Sequence, residues 1–274
     1  MTETIRLRLD VSYDGADFSG WAAQPGRRTV AGVLTEALHR LLGAGGEQWP
    51  LGLTVAGRTD AGVHASGQVC HIELPAERYA ELAGSLVRRL GGLMPPDARV
   101  KGVVPVPDTF DARFSATFRR YEYRVCDDGW GPEPLRRYDT LGWPRPLDLD
   151  RLNAAAAGLL GEHDFAAFCK RKEHATTIRA INRLDWRREA DRTLVATVQA
   201  DAFCQAMVRS LVGAMLAVGE GRREPDWPAK LLTLRERSSE VTVAAANGLT
   251  LVEVGYPDQA EYAARADATR RLRA

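Results

Sequence analysis

The chain has no run of about 18 apolar residues, so no membrane-spanning helix is expected. Its first stretch, MTETIRLRLDVSYDG, has no apolar core of the kind a signal peptide carries. Cysteine is sparse: Cys70, Cys126, Cys169 and Cys204 form no CxxC pair. They read as reduced thiols of a cytoplasmic protein, mostly in or near the core. Neither sign of charge dominates, with 37 basic and 36 acidic residues and a net charge of +1. With 274 residues, 45% of them hydrophobic, the chain suits one large domain or two smaller ones.

Lysine is nearly missing as well, appearing only at Lys101, Lys170, Lys172 and Lys230. The basic side is arginine, set in doublets at 27–28, 88–89, 119–120, 136–137, 187–188 and 222–223, with a short cluster at 170–172. Guanidinium forks suit phosphate oxygens and stack on bases. An RNA surface is one reading and solvated faces are the other; a polyanion site needs several doublets on one face.

Periodicity supplies the frame. IRLRLDVSYDG alternates as a strand with one solvated face, ending at the Asp14-Gly15 turn. TVAGVLTEALHRLLG reads as a helix capped by Thr29 and stopped by Gly43, and ERYAELAGSLVRRLGG reads as a second. LTVAGRTD and GQVCHIEL flank a motif as strands. In the second half, RRYEYRVC, TLVATVQADAF and GLTLVEVGYP read as strands, and LDRLNAAAAGLLG and CQAMVRSLVGAMLAVGEG as helices. The predicted class is α+β with two similar lobes of mostly antiparallel sheet, each with helices on one face. The crossover falls near residue 108, giving lobes 1–108 and 109–257 and a polar helical tail at 258–274.

The densest chemistry lies in GRTDAGVHASGQV, where Arg58, Asp60 and His64 fall within seven residues. It holds one acid and no partner acid. His64 and His71 lack further ligands at regular spacing, so no metal site is expected. Glycines 57, 62 and 67 match neither GxxxxGK[ST] nor a strand–GxGxxG–helix, and read instead as permitting a tight turn near substrate.

The ordered blocks YDGADFSGW, AGRTDAGVHASGQV, FDARFSATFRRYEYRV, AMVRSLVGAMLAVG and NGLTLVEVGYP, spanning residues 13–257, resemble the signatures of the tRNA pseudouridine synthase A family. The resemblance implies an isomerase that converts uridine to pseudouridine at positions 38, 39 and 40 of the tRNA anticodon stem–loop. It implies no cofactor and no metal, a cytoplasmic homodimer, and an active-site cleft between the lobes. Asp60 matches the family's catalytic aspartate, Arg209 its ion-pair partner and Tyr121 its stacking tyrosine. Met207 and Leu249 match apolar pocket positions. Arg58 is a second candidate cation, because two residues along a strand return to the same face. His64, Arg119 and Arg120 are candidate RNA contacts, and Tyr123 competes with Tyr121 as a core residue. Ala22, Ala31, Gly91 or Gly92, and Ser210 depart from the usual family residues, which touches loop bonding and RNA docking but removes no catalytic group.

One acid suffices for such chemistry. The N1–C1′ bond breaks, the uracil turns, and C5 joins C1′; no water need be activated, so the second carboxylate of glycoside hydrolysis is not required. The acid can attack C1′ or C6, take the C2′ proton, or stabilise positive charge at C1′. The target base must leave its stack and be held by aromatic or apolar faces. A non-catalytic RNA binder on the same scaffold is the alternative, disfavoured by the intact trio Asp60, Tyr121 and Arg209.

Overall fold

The computed structural model describes residues 3–43, 51–170 and 176–273. Arg171 and Lys172 of the basic cluster lie outside them. The chain divides into two compact units, residues 1–117 with 251–272 and residues 118–250 with the last two residues. The fold is α+β, with mostly antiparallel sheet, one parallel strand pair and seven α-helices among the described residues.

In the first unit the strand β1 (Thr4–Tyr13) buries Leu7, Leu9, Val11 and Tyr13 and turns the intervening residues outward. That is the alternation its sequence predicts. Helix α1 (Val30–Leu42) follows, its first turn capped by Thr29, whose Oγ1 accepts from the Gly32 N–H at 3.2 Å. Its buried stripe is Val30, Ala31, Leu34, Ala37 and Leu38. Next come β2 (Thr54–Val55) and β3 (His64–Pro75), then α2 (Ala76–Leu82), α3 (Leu86–Leu93) and β4 (Ala98–Val106). β3 and β4 flank β1 antiparallel, with Leu7 opposite Ile72 and Pro105, and Leu9 opposite Cys70 and Val103. The single helix expected over ERYAELAGSLVRRLGG is two helices. Gly84 is a poor helix former, and the Ser85 hydroxyl donates to the Leu82 carbonyl at 3.2 Å, so the chain turns there.

The second unit contains β5 (Phe118–Cys126), β6 (Leu141–Gly142), α4 (Leu149–Ala157), β7 (Gly161–Asp164), β8 (Ile178–Arg188), β9 (Leu194–Ala200), α5 (Met207–Gly219) and α6 (Trp227–Lys230). The strands run in the order β5-β9-β8-β7, each pair antiparallel, and β6 adds to β5 in parallel. Helix α5 is apolar on nearly every side, and only Arg209 and Gly213 escape full burial. It packs with α4, which lies over β8. A helix of this kind has no solvent stripe because both its faces are covered.

The strand β10 (Leu249–Gly255) brings the chain back, and its residues 251–255 belong to the first unit, whose strand order is β4-β1-β3-β10. Helix α7 (Tyr262–Arg273) docks there too. Tyr262 meets the Phe110 ring at 5.0 Å, and Ala266 and Thr269 are buried beside it. The cysteine expectation is corrected at two positions. Cys70 and Cys126 are buried free thiols, but Cys169 and Cys204 form a disulfide with Cα atoms 5.7 Å apart. Their 35-residue sequence separation hides a proximity made by the fold.

Candidate functional site

In the first unit the Gly57–Val63 segment leaves β2 and turns back into β3. Val63 N–H donates to the Asp60 carbonyl at 3.2 Å, and Gly62 takes φ 77° to close the turn. The segment is gripped from outside by YDGADFSGW: Trp21 N–H donates to the Thr59 carbonyl at 3.1 Å, and Gly62 N–H to the Phe18 carbonyl at 3.3 Å. Gly15 lies so close to this turn that a Cβ there would stand 2.1 Å from the Val63 carbonyl oxygen. Two signature blocks far apart in sequence thus form one local structure. Asp60 is half-buried at the turn, Thr59 before it is buried, and Arg58 is exposed. β2 ends at Val55, so the strand alternation that would align Arg58 with Asp60 does not extend to them.

Side chains lock this loop as firmly as its backbone does. The Gln68 amide, fully buried on β3, donates to the Gly57 carbonyl at 2.8 Å and to the Tyr13 hydroxyl at 3.2 Å. The Tyr13 hydroxyl in turn lies 2.8 Å from Thr59 Oγ1. His64 is 5% exposed, and its Nδ1 accepts from the Gly15 N–H at 2.9 Å, with Asp14 Oδ1 3.0 Å from the same nitrogen. Here His64 clamps the first signature block to the motif. Tyr13, Thr59 and Gln68 escaped the sequence reading. Their signal is a glutamine and a tyrosine at buried strand positions, where an unpaired polar group is costly and therefore implies partners.

In the second unit Tyr121 and Tyr123 share the buried face of β5, as an extended strand requires. Tyr121 meets Phe203 edge-on at 5.3 Å. Tyr123 is fully buried and donates its hydroxyl to the Ala245 carbonyl at 2.8 Å, a core role. Burial pushes its phenol well above the usual range, and the Arg209 charge opposes that. Arg209, in the first turn of α5, donates Nε–H to the Ala244 carbonyl at 2.7 Å and accepts from the Ala244 N–H at 3.0 Å with its own carbonyl. Leu249 N–H donates to the Ala246 carbonyl at 2.9 Å, and Gly248 lies against the Tyr123 ring, where a Cβ would come within 2.6 Å. The 244–249 turn therefore gathers Arg209, Tyr123 and Leu249. Met207 is fully buried at the start of the same helix.

The arginine doublets are largely engaged in their own units. Arg28 forms a bidentate pair with Asp97 at 2.8 Å on both arms and stacks over Phe18 at 4.0 Å. That guanidinium holds the Asp97 carboxyl below the usual carboxylate range. Arg119 is buried and donates to the Asp201 carbonyl at 2.8 Å, while Arg120 faces the other side of β5 and donates to Gln199 at 2.8 Å. Arg187 pairs with Glu122 and Glu189, and Arg188 with Asp127. By contrast, Arg27, Arg58, Arg88 and Arg89 are exposed and have no ion-pair partner among the described residues.

A cavity of about 480 Å³ at the end of α5 is lined by Leu147, Asp148, Arg151, Glu220 and Glu224 among others, and contains none of the candidate residues. Among the described residues no three His, Cys, Asp or Glu gather as metal ligands, and no helix is long and apolar enough to cross a membrane.

Comparison with known proteins adds a second line of observation. The sequence model of the tRNA pseudouridine synthase family matches residues 155–257. The chain is 56% identical to tRNA pseudouridine synthase A of Frankia casuarinae over 98% of its own length and 96% of that protein. It is 53% identical to tRNA pseudouridine synthase A of Streptomyces griseus over 98% of its length and 94% of that protein. A solved Cbf5-Nop10-Gar1 complex aligns at 10% identity with a TM-score of 0.33, over 80% of this chain and 55% of that one, a likeness too loose to bear on function.

Proposed function

The chain belongs to the tRNA pseudouridine synthase A family and isomerises uridine to pseudouridine in tRNA; from that premise we propose that Asp60 is its reacting carboxylate and that its targets are positions 38, 39 and 40 of the anticodon stem–loop. The observation that carries the assignment is the turn at Gly57–Val63, where a half-buried acid is fixed by bonds from two other parts of the unit. A carboxylate that must meet one atom of a flipped nucleotide gains from such pre-organisation, because the geometry is set before substrate arrives.

Arg209 is the counter-cation. Its Nε–H donates to the Ala244 carbonyl, which fixes the plane of the guanidinium. Tyr121 is the aromatic face for the extruded uracil, with Met207 and Leu249 as apolar walls. Arg58 and Arg120 act at the RNA side of the site and His64 through the backbone it clamps, whereas the buried Arg119, bonded to the Asp201 carbonyl, supports β5 instead of meeting RNA. The reaction leaves every atom of the base on the nucleotide, so the chemistry assigned to these residues calls on no cofactor and no metal. The enzyme works as a homodimer in the cytoplasm.

The experiment is incubation of unmodified tRNA transcripts with purified protein, followed by mapping of pseudouridine. Modification confined to positions 38–40 is the expected result. Modification elsewhere, with those positions untouched, contradicts the target assignment while leaving the reaction class intact.

A further inference from the structure

Two cysteines stand apart from the chemistry above. Cys169 is fully buried at the end of the short 3-10 turn Ala166–Phe168. Cys204 is half-buried in the 201–206 loop between β9 and α5. Their Cα atoms are 5.7 Å apart, at the commonest separation for a disulfide, and the sulfurs are bonded. The two segments also meet through backbone, since Lys170 N–H donates to the Gln205 carbonyl at 3.0 Å.

The tethered loop is short and loaded. Phe203 presents its ring to Tyr121, and Cys204 Sγ lies 3.7 Å from Met207 Sδ. Ala206 takes φ 64°, the left-handed region that a residue with a Cβ occupies only when its surroundings impose it. Cys70 and Cys126 show none of this, and burial pushes the Cys70 thiol far above its usual range.

We infer that Cys169–Cys204 is a reversible thiol–disulfide site that sets how firmly the 201–206 loop is held. The exchange balances with a low-molecular-weight disulfide as oxidant. The half-buried Cys204 thiolate attacks one sulfur of the oxidant, forming a mixed disulfide and releasing one thiolate. Cys169, deprotonated, then attacks Cys204 Sγ and displaces the second. The protein loses two protons and two electrons, and one oxidant disulfide becomes two thiols. Disulfides in a reducing compartment are typically of this transient kind. The redox chemistry stands on the cysteine geometry alone. Its effect on turnover rests on the reading of Tyr121 and Met207 as residues that hold the base.

The test uses the full-length protein equilibrated in buffers from dithiothreitol to oxidised glutathione, with free thiols alkylated and peptides mapped without reduction. A peptide linked through Cys169 and Cys204 is expected to form under oxidised glutathione and open under dithiothreitol in the folded protein. The reduced form is expected to melt roughly 5–10 °C lower. C169S and C204S each remove both responses, and the Asp60→Ala variant keeps both, because the thiol pair does not depend on catalysis. Reduction is expected to raise the KM for tRNA severalfold. Absence of the linked peptide at every poise, or adducts on Cys70 and Cys126 in its place, overturns the site. A linked peptide that forms and opens without any change in KM overturns the coupling to Tyr121 and Met207 and leaves the assignment of Asp60 untouched.

Discussion

The two units hold the residues proposed for the site by opposite means. In the first, Asp60 is on a loop, and the loop is fixed by polar groups: Gln68 on Gly57, Tyr13 on Thr59, His64 on Gly15. In the second, Tyr121 and Arg209 are on a strand and a helix, and regular backbone with apolar packing places them, with one side-chain bond from Arg209 Nε–H to the Ala244 carbonyl. A loop can reach a substrate from angles that a strand cannot, but it must find partners for every buried polar group it brings inside. A buried strand or helix comes already satisfied and needs only shape. Damage should therefore look different in the two halves. Losing one hydrogen bond in the first unit misplaces the acid, whereas the second unit fails through weakened packing or a missing charge.

Mutations around Asp60, rather than of Asp60 itself, can break that contrast, and the largest effect among them belongs to Arg209→Ala. It removes the proposed counter-charge while α5 keeps its packing, so kcat is expected to fall about 100-fold with tRNA affinity little changed. Equal losses in kcat and affinity, measured by single-turnover kinetics and filter binding, would reassign Arg209 to docking. Next come Tyr13→Phe and Gln68→Leu, each of which unties the motif loop without adding bulk. A drop in kcat of roughly fivefold is expected from each, since one hydrogen bond is worth about 1 kcal/mol. The double variant should lose less than the product of the two, because the residues share one network.

A smaller effect concerns stability. His71 Nδ1 accepts from the Ala112 N–H at 3.0 Å, tying the 110–112 segment to β3. Burial, helped by the Arg6 charge and opposed by Asp111 and Glu73, pushes this histidine below its ordinary value of 6.5. The folded state therefore binds a proton less readily than the unfolded chain. Stability is full above about pH 6.5 and falls as the pH drops from there toward the lowered folded value. Urea midpoints at pH 7.5 and 5.5 measure this, and His71→Gln should weaken the dependence. The smallest effect is expected of the unpaired arginines. Arg88→Ala with Arg89→Ala should reduce the salt slope of tRNA binding by about one for each phosphate no longer neutralised, whereas the same change at the ion-paired Arg187 should leave it alone. Identical slopes for all three would remove the distinction between engaged and available guanidiniums.

Much of this architecture was legible in the sequence, and the exceptions have physical causes. β1 and α1 could be read because an uninterrupted period of 2 or 3.6 survives along each, and α5 because its apolar run is too long for a strand. β8 could not, since its register shifts between Ile181 and Arg183 and the alternation of IRAINRLDWRR breaks there. The tail could be read as polar and helical, but not its docking, which rests on a few buried residues, Tyr262 and Ala266 among them. Asp60 stood out through its motif. The network behind it did not, because Tyr13, Thr59 and Gln68 lie 46 and 55 positions apart across their bonds and only the β1–β3 register unites them. The Cys169–Cys204 pairing was hidden for the same reason.

The central claim is that a single carboxylate on a locked loop performs the isomerisation. It is tested most directly by Asp60→Ala, with tritium release from C5-labelled uridine tRNA and tRNA affinity measured on the same preparation. Release slowed by about 1,000-fold or more, with affinity near that of the unaltered protein, is the predicted outcome. Release at an undiminished rate would contradict it.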